Sequence, residues 1–205
     1  MLKNKKIVVF ASGSGTNFIN LYNNVKNGEI VLLISNNSNS GAIRYAIENQ
    51  IDYKVINDFR YPDINIKNIE YESVLSDCKP DLILLAGFMK RIPSNIIELY
   101  PNKIMNIHPS LLPKYGGKGY YGIKVHEAVI KSKDRITGAT VHFINNEYDR
   151  GPIIKQCKIN VKDLDDAFSL SKRVLKVEYS LYLDVVNLFC LDKIKINNTE
   201  VTINE

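Results

Sequence analysis

The chain has 205 residues, 45% of them hydrophobic, with no linker-like run, which fits one compact domain large enough to bury a real core. Its formal charge of +5 comes from 27 basic and 22 acidic residues spread along the sequence, so no basic arm for nucleic acid stands out; the balance suits a small anionic substrate and equally an Asn/Lys/Ile-rich composition. Cys78, Cys157 and Cys190 lie far apart with no Cys-x-x-Cys pair or metal-like cluster, which favours a reducing, cytosolic setting, and no apolar run approaches the ~20 residues of a membrane span.

In chain order, residues 6–11 (Lys-Ile-Val-Val-Phe-Ala) read as a fully buried strand, because the apolar side chains run continuously instead of alternating. The strand feeds Ser12-Gly-Ser-Gly-Thr-Asn17, and a helix is expected from about Asn17. A strand, a glycine-rich turn and a helix N-terminus offer free backbone N–H groups at the positive end of a helix dipole, which is a cradle for phosphate. The spacing is neither Walker A nor the dinucleotide Gly-x-Gly-x-x-Gly, since Phe18 stands where the last glycine belongs, and a purely structural turn is the alternative. A strand at 30–34, a helix at about 42–50 and a short strand at 53–56 give the alternation of a parallel sheet. Residues 57–67 resist detailed reading; Arg60 within them is either an anion contact or a solvated loop residue. A helix at about 69–77 ends before Pro80, and 82–86 (Leu-Ile-Leu-Leu-Ala), the most apolar strand, belongs at the centre of the sheet. It opens into Gly87-Phe-Met-Lys-Arg-Ile92, where Phe88 and Met89 either line a flat apolar pocket or complete the core.

The rest of the chain is arranged around residues 103–113, Lys-Ile-Met-Asn-Ile-His-Pro-Ser-Leu-Leu-Pro. Side chains alternate along a strand, so Asn106 and His108 share one face, and Pro109 then ends the ladder. An amide and an imidazole at the carboxyl end of a strand stand where open α/β sheets gather ligands; a buried, hydrogen-bonded pair without chemistry is the competing reading. Four glycines within 114–122 lead us to expect a mobile flap beside the site. A helix at 123–131 carries His126, read as an exposed or partly buried surface histidine. A strand at 136–143 holds His142, read as packing or support before ligand, and a wide loop bearing Asp149-Arg-Gly-Pro152 leads to a strand at 153–159. Asp163 is placed to cap a long helix ending near Phe189, with Asp166 in its first turn. Ala167, Leu170, Val174, Val177, Leu181, Val185 and Leu188 form its apolar stripe, and Glu178 beside them either projects into a cleft or stays solvated. Residues 193–196, a turn at Asn197-Asn198 and residues 200–203 read as a terminal hairpin. The expected architecture is a single α/β domain over 1–205, with a doubly wound, mostly parallel, Rossmann-like sheet, a long C-terminal helix and that hairpin.

Three separated stretches resemble one enzyme family: Phe10-Ala-Ser-Gly-Ser-Gly-Thr-Asn17; Leu85-Ala-Gly-Phe-Met89 with Asn106-Ile-His-Pro-Ser-Leu-Leu-Pro113; and Gly138-Ala-Thr-Val-His-Phe143 with Asp149-Arg-Gly-Pro152. Together they are similar to the phosphoribosylglycinamide formyltransferases over nearly the whole length, and Asn-x-His with a distant Asp is specific to the formyltransferase superfamily. The resemblance implies transfer of a formyl group from 10-formyltetrahydrofolate to the amine of phosphoribosylglycinamide in purine biosynthesis, with no metal required. It implies Gly15, Thr16 and Asn17 at the substrate phosphate and Glu178 at its ribose end. Met89, Lys90, Arg91 and Ile92, with Asn145, Asn146, Glu147, Tyr148 and Asp149, would contact the folate mainly through backbone, joined there by Asn106. Asn106, His108 and Asp149 would be catalytic. A cytoplasmic monomer or homodimer with small-molecule substrates, and no nucleic-acid or membrane partner, completes what the likeness implies. The chain departs from the family pattern at Lys90-Arg91-Ile92-Pro93, at Gly116-Gly-Lys-Gly and at Asn146, where an acidic residue is typical, so the folate side is matched less closely than the phosphate side.

The residues of the trio suit this chemistry on their own terms. Formyl transfer to an amine passes through a tetrahedral intermediate whose oxygen carries negative charge, so donors must be aimed at it. Asn106 offers N–H groups, a protonated His108 offers a charged one, and a carboxylate such as Asp149 beside the ring favours the cation. The same His/Asp pair, or a water they hold, can pass the proton from the amine to the folate nitrogen. Formyltetrahydrofolate hydrolase and methionyl-tRNA formyltransferase share the trio but carry an extra N-terminal or C-terminal domain, which this sequence is not expected to contain. A non-catalytic phosphate-binding module is the remaining alternative, and the intact Asn106, His108 and Asp149 speak against it.

Overall fold

The computed structural model describes residues 4–197 and 200–204. The chain divides into two compact units, Met1–Met105 and Asn106–Glu205. In the first, strands β1 (Lys5–Phe10), β2 (Gly28–Ser35), β3 (Tyr53–Val55) and β4 (Leu82–Leu85) lie in the order β3-β2-β1-β4, every neighbouring pair parallel. Parallel neighbours need crossovers, and helices α1 (Thr16–Asn24), α2 (Gly41–Glu48) and α3 (Ile64–Cys78) supply them. Ile7 to Phe10 and Leu82 to Leu84 are wholly buried, as continuous apolar runs require.

Two helices depart from the sequence reading. α3 starts at Ile64 instead of near residue 69, because Asp63 Oδ1 accepts the N–H groups of Asn65 at 2.7 Å and Ile66 at 3.2 Å. Its first turns expose Ile64, Ile66 and Ile69, so no apolar face announces the start. A short helix α4 (Ser94–Leu99), which the sequence reading did not anticipate, follows Pro93 and leads to β5 (Ile104–His108). β5 begins in the first unit and ends in the second.

In the second unit β5, β6 (Ile136–Phe143) and β7 (Ile153–Asn160) follow in that order, with β6 and β7 antiparallel and a bulge between Val141 and His142. Helix α5 spans Ile123–Lys131. The long helix α6 (Ala167–Cys190) is capped by Asp166 and not by Asp163: Asp166 Oδ1 accepts the Ser169 N–H at 2.7 Å while Ser169 Oγ accepts the Asp166 N–H at 3.0 Å. This reciprocal capping box fixes the start three residues later than expected. Leu170, Val174, Leu181 and Val185 are buried on α6 as anticipated, and Glu178, Tyr182 and Val186 complete that face. Strands β8 (Ile194–Asn197) and β9 (Glu200–Ile203) pair antiparallel, and the expected turn at Asn197-Asn198 falls partly outside the described residues. The α/β class, the mostly parallel strand pairing, the long C-terminal helix and the hairpin all agree with the sequence reading.

Candidate active site

The end of β5 is pinned by one buried hydroxyl. Thr140 Oγ1 donates to Ser110 O at 2.6 Å and accepts from Leu112 N–H at 3.1 Å and from Gln156 Nε2 at 2.8 Å. A hydroxyl has one proton and two lone pairs, and all three are engaged. Gln156 Nε2 also donates to Leu112 O at 2.9 Å, so β6 and β7 together hold the chain just past Pro109.

His108 is 5% exposed, and its Nε2 lies 2.7 Å from the Tyr115 carbonyl, which can only accept. Nε2 therefore carries a proton, and Nδ1 is the ring nitrogen left for exchange. Nδ1 stands 3.7 Å from Asp149 Oδ2, longer than a hydrogen bond but within ion-pair range. Asp149 Oδ2 accepts the Gly117 N–H at 2.8 Å, and Oδ1 is 3.7 Å from His142 Nε2. Asp149 itself takes a left-handed backbone, φ 53°. The loop turns back on β6 beyond it at Gly151, where a Cβ would fall 1.9 Å from Phe143 O, a place only glycine fits.

His142 joins the trio. Its Nδ1 donates to Phe143 O at 2.8 Å, and Asn106 Nδ2 lies 3.2 Å from its Nε2. Burial pushes the His142 pKa down, against smaller opposing pulls from the Phe143 carbonyl and Asp149. A neutral ring with its proton on Nδ1 accepts at Nε2, so Asn106 points its amide nitrogen, and not its oxygen, toward His142. One amide hydrogen is used there and the second is left for another acceptor. The sequence signal for His142 was a polar residue two along from Thr140 in a strand otherwise buried; the bulge that joins it to Asn106 and Asp149 left no mark on the sequence. His126, read as a surface residue, is instead 3% exposed, because α5 turns Val125, His126 and Val129 inward. Burial first, and then the charge of His108, push its pKa down to about 4.

In the first unit, Gly15 caps α1 with φ 82°, and no side chain caps the helix. A Cβ at Gly15 would meet Ala42 Cα at 2.7 Å, so α1 and α2 approach there only over glycine. Thr16 and Asn17 open α1, with Asn17 buried. Ser12, also buried, donates its hydroxyl to Asn36 Oδ1, accepts the Met89 N–H at 3.1 Å, and donates its own N–H to Gly87 O at 3.2 Å, joining the loop after β1 to the loop after β4. Sequence reasoning missed this serine. Met89 is exposed and Ile92 buried; Lys90 Nζ lies 3.2 Å from Asp58 Oδ2, a carboxylate that Lys67 also holds. A cavity of about 560 Å³ in this unit is lined by Tyr71, Lys90, Arg91, Ile92 and Pro93 among others. Arg60 is exposed. In the second unit Asn145, Asn146, Glu147 and Tyr148 are exposed on the β6–β7 loop, where Asn145 Oδ1 accepts the Glu147 N–H at 2.9 Å, and Glu178 is buried on α6. Among the described residues, no group of three His, Cys, Asp or Glu is placed to hold a metal ion, and no helix is long and apolar enough to cross a membrane.

An amide donor, a tautomer-fixed imidazole and a carboxylate beside it are the groups that acyl transfer through a charged tetrahedral intermediate calls for. The sequence matches the formyl transferase family over residues 5–186, and the chain belongs to that family. It is 42% identical over 198 residues to the chloroplastic phosphoribosylglycinamide formyltransferase of Arabidopsis thaliana, covering 94% of this chain and 68% of that one. To the phosphoribosylglycinamide formyltransferase of Haemophilus influenzae it is 31% identical, covering 95% and 91%. The crystal structure of glycinamide ribonucleotide transformylase 1 from Symbiobacterium toebii superposes with a TM-score of 0.91 at 27% identity, over 100% of this chain and 96% of that one.

Proposed function

We propose that this chain transfers the formyl group of 10-formyltetrahydrofolate to the amine of phosphoribosylglycinamide. The observation that carries the reading is the gathering of Asn106, His108 and Asp149 around His142 in a chain whose relatives bear that activity in their names. Attack of the amine on the formyl carbon forms the carbon–nitrogen bond and puts negative charge on the former carbonyl oxygen. The free amide hydrogen of Asn106 donates to that oxygen, joined by His108 Nδ1–H once Nδ1 has taken the proton of the attacking amine. Because Nε2 is tied to the Tyr115 carbonyl, Nδ1 is the nitrogen that relays the proton from the attacking amine to the departing folate nitrogen, and Asp149 pairs with the imidazolium.

The remaining assignments rest on matched motifs. Gly15, Thr16 and Asn17 hold the phosphate at the start of α1, where backbone N–H groups and the helix dipole favour an anion. Glu178 holds the ribose, while Met89 to Ile92 and Asn145 to Asp149 line the folate. The family match runs through both units and supports reading 1–205 as one formyltransferase domain. Three cysteines spread far apart along the sequence suit a cytosolic setting, and we read the chain as a monomer or homodimer.

The test is to incubate the pure protein with 10-formyltetrahydrofolate, with and without phosphoribosylglycinamide. Ribonucleotide-dependent loss of the formyl group and formation of formylated ribonucleotide are expected. Loss independent of the ribonucleotide would make the chain a hydrolase, and no turnover would leave a binding module.

A further inference from the structure

Tyr115 adopts φ 56°, a left-handed backbone that a bulky aromatic residue takes only when its surroundings hold it there. In that conformation its carbonyl receives the His108 Nε2 proton at 2.7 Å. Its side chain is gripped from the other end: the Tyr115 hydroxyl donates to Asp134 Oδ2 at 2.9 Å. Lys114 Nζ in turn reaches both oxygens of Asp134, at 2.7 and 2.6 Å, and stands 5.1 Å from the centre of the Tyr115 ring. Tyr120 packs edge-on against that ring, with centroids 5.8 Å apart. Asp134 sits in the turn between α5 and β6, where its N–H donates to Val129 O at 3.3 Å. Two residues past Tyr115, Gly117 gives its N–H to Asp149.

We propose that Asp134 is a positioning residue for His108: it anchors the Tyr115 hydroxyl, which keeps the Tyr115 carbonyl on Nε2 and so leaves Nδ1 as the proton-exchanging nitrogen. The hydrogen bonds of its carboxylate run to Lys114 and Tyr115 and to none of Asn106, His108 or Asp149, so it acts only through the flap. A neutral imidazole has one proton for two nitrogens, and what fixes its place is the acceptor offered to one of them. Without the anchor Tyr115 relaxes from the left-handed region, its carbonyl leaves Nε2, and the proton divides between Nε2 and Nδ1. A ring protonated on Nδ1 cannot take the amine proton there.

This inference rests on His108 having the role given above, and the test separates the two. Imidazole nitrogen chemical shifts of His108 report the tautomer without any turnover. The wild type is expected in the Nε2–H form, and Asp134→Ala and Tyr115→Phe are expected to show a mixture. In the formyl-transfer assay both variants should lose about tenfold in kcat with KM changed less than about twofold, and the double variant should be no worse than either alone. Asp134→Asn, which keeps an oxygen for the hydroxyl, should recover most of both readouts. Should Asp134→Ala fail to fold, Tyr115→Phe, the loss of one hydroxyl, carries the same expectation. Folded variants with an unchanged tautomer, or a changed tautomer with unchanged kcat, overturn the proposal. An inactive wild type would instead overturn the functional reading, with the tautomer measurement still deciding the anchor.

Discussion

Asn106 spends one amide hydrogen on a neutral His142, and that single bond decides which end of the amide meets a ligand. The tie acts at the level of one rotor, since turning the amide over would set its oxygen against a nitrogen lone pair. Asn106→Ala removes the donor and leaves the strand intact, because the apolar neighbours Met105 and Ile107 remain buried. In the role proposed above, its loss should lower kcat by ~10²–10³. The expected result is that loss with a thermal midpoint close to wild type; a folded variant that keeps near-full turnover would take Asn106 out of the mechanism.

At the scale of elements, capping decides where α6 begins. Asp166→Ala removes the carboxylate that accepts the Ser169 N–H, while the backbone N–H of residue 166 can still reach Ser169 Oγ, and should lower unfolding free energy by about 1 kcal/mol, read as a fall in the urea midpoint at unchanged slope. The same helix shows what a sequence can and cannot reveal. Its apolar period was plain, but Asp163 and Asp166 are alike as residues and differ only in the geometry that brings one over the Ser169 N–H. The bounds of α5 and β6 were legible because apolar runs end at Gly, Pro or charge, whereas α3 hid its start behind exposed isoleucines. In the site, Asn106 and His108 stood out by type and spacing, while Asp149 was reached through the family resemblance. The Tyr115 carbonyl and the Gly117 N–H did not, because backbone groups are common to all residues and only the path of the chain gives them a role. The fold was read mainly through burial, which composition encodes; the precise partners of the imidazole depend on turns, which it encodes weakly.

For the molecule as a whole, buried imidazoles link folding to acidity. His126 keeps its proton off until about pH 4 in the folded chain, while in the unfolded chain it takes one up near its ordinary value of 6.5. Between those values the unfolded state binds more protons, so stability must fall as pH falls through that window. His142, lowered by the same burial, adds in the same direction. Urea unfolding at pH 7 and pH 5 should give a lower midpoint at pH 5, and His126→Asn should flatten the difference. Equal slopes with pH in the two proteins would place the acid sensitivity elsewhere.

The open start of α1 has a further consequence. Gly15 at the N-cap offers no side chain to the leading amides, so a phosphate seated at Gly15, Thr16 and Asn17 would itself serve as the cap. Occupancy and fraying of that turn then become one motion: deuterium should enter the amides of Thr16 to Phe18 more slowly in saturating phosphoribosylglycinamide, and letting go of the product would loosen the first coil of the helix along with it.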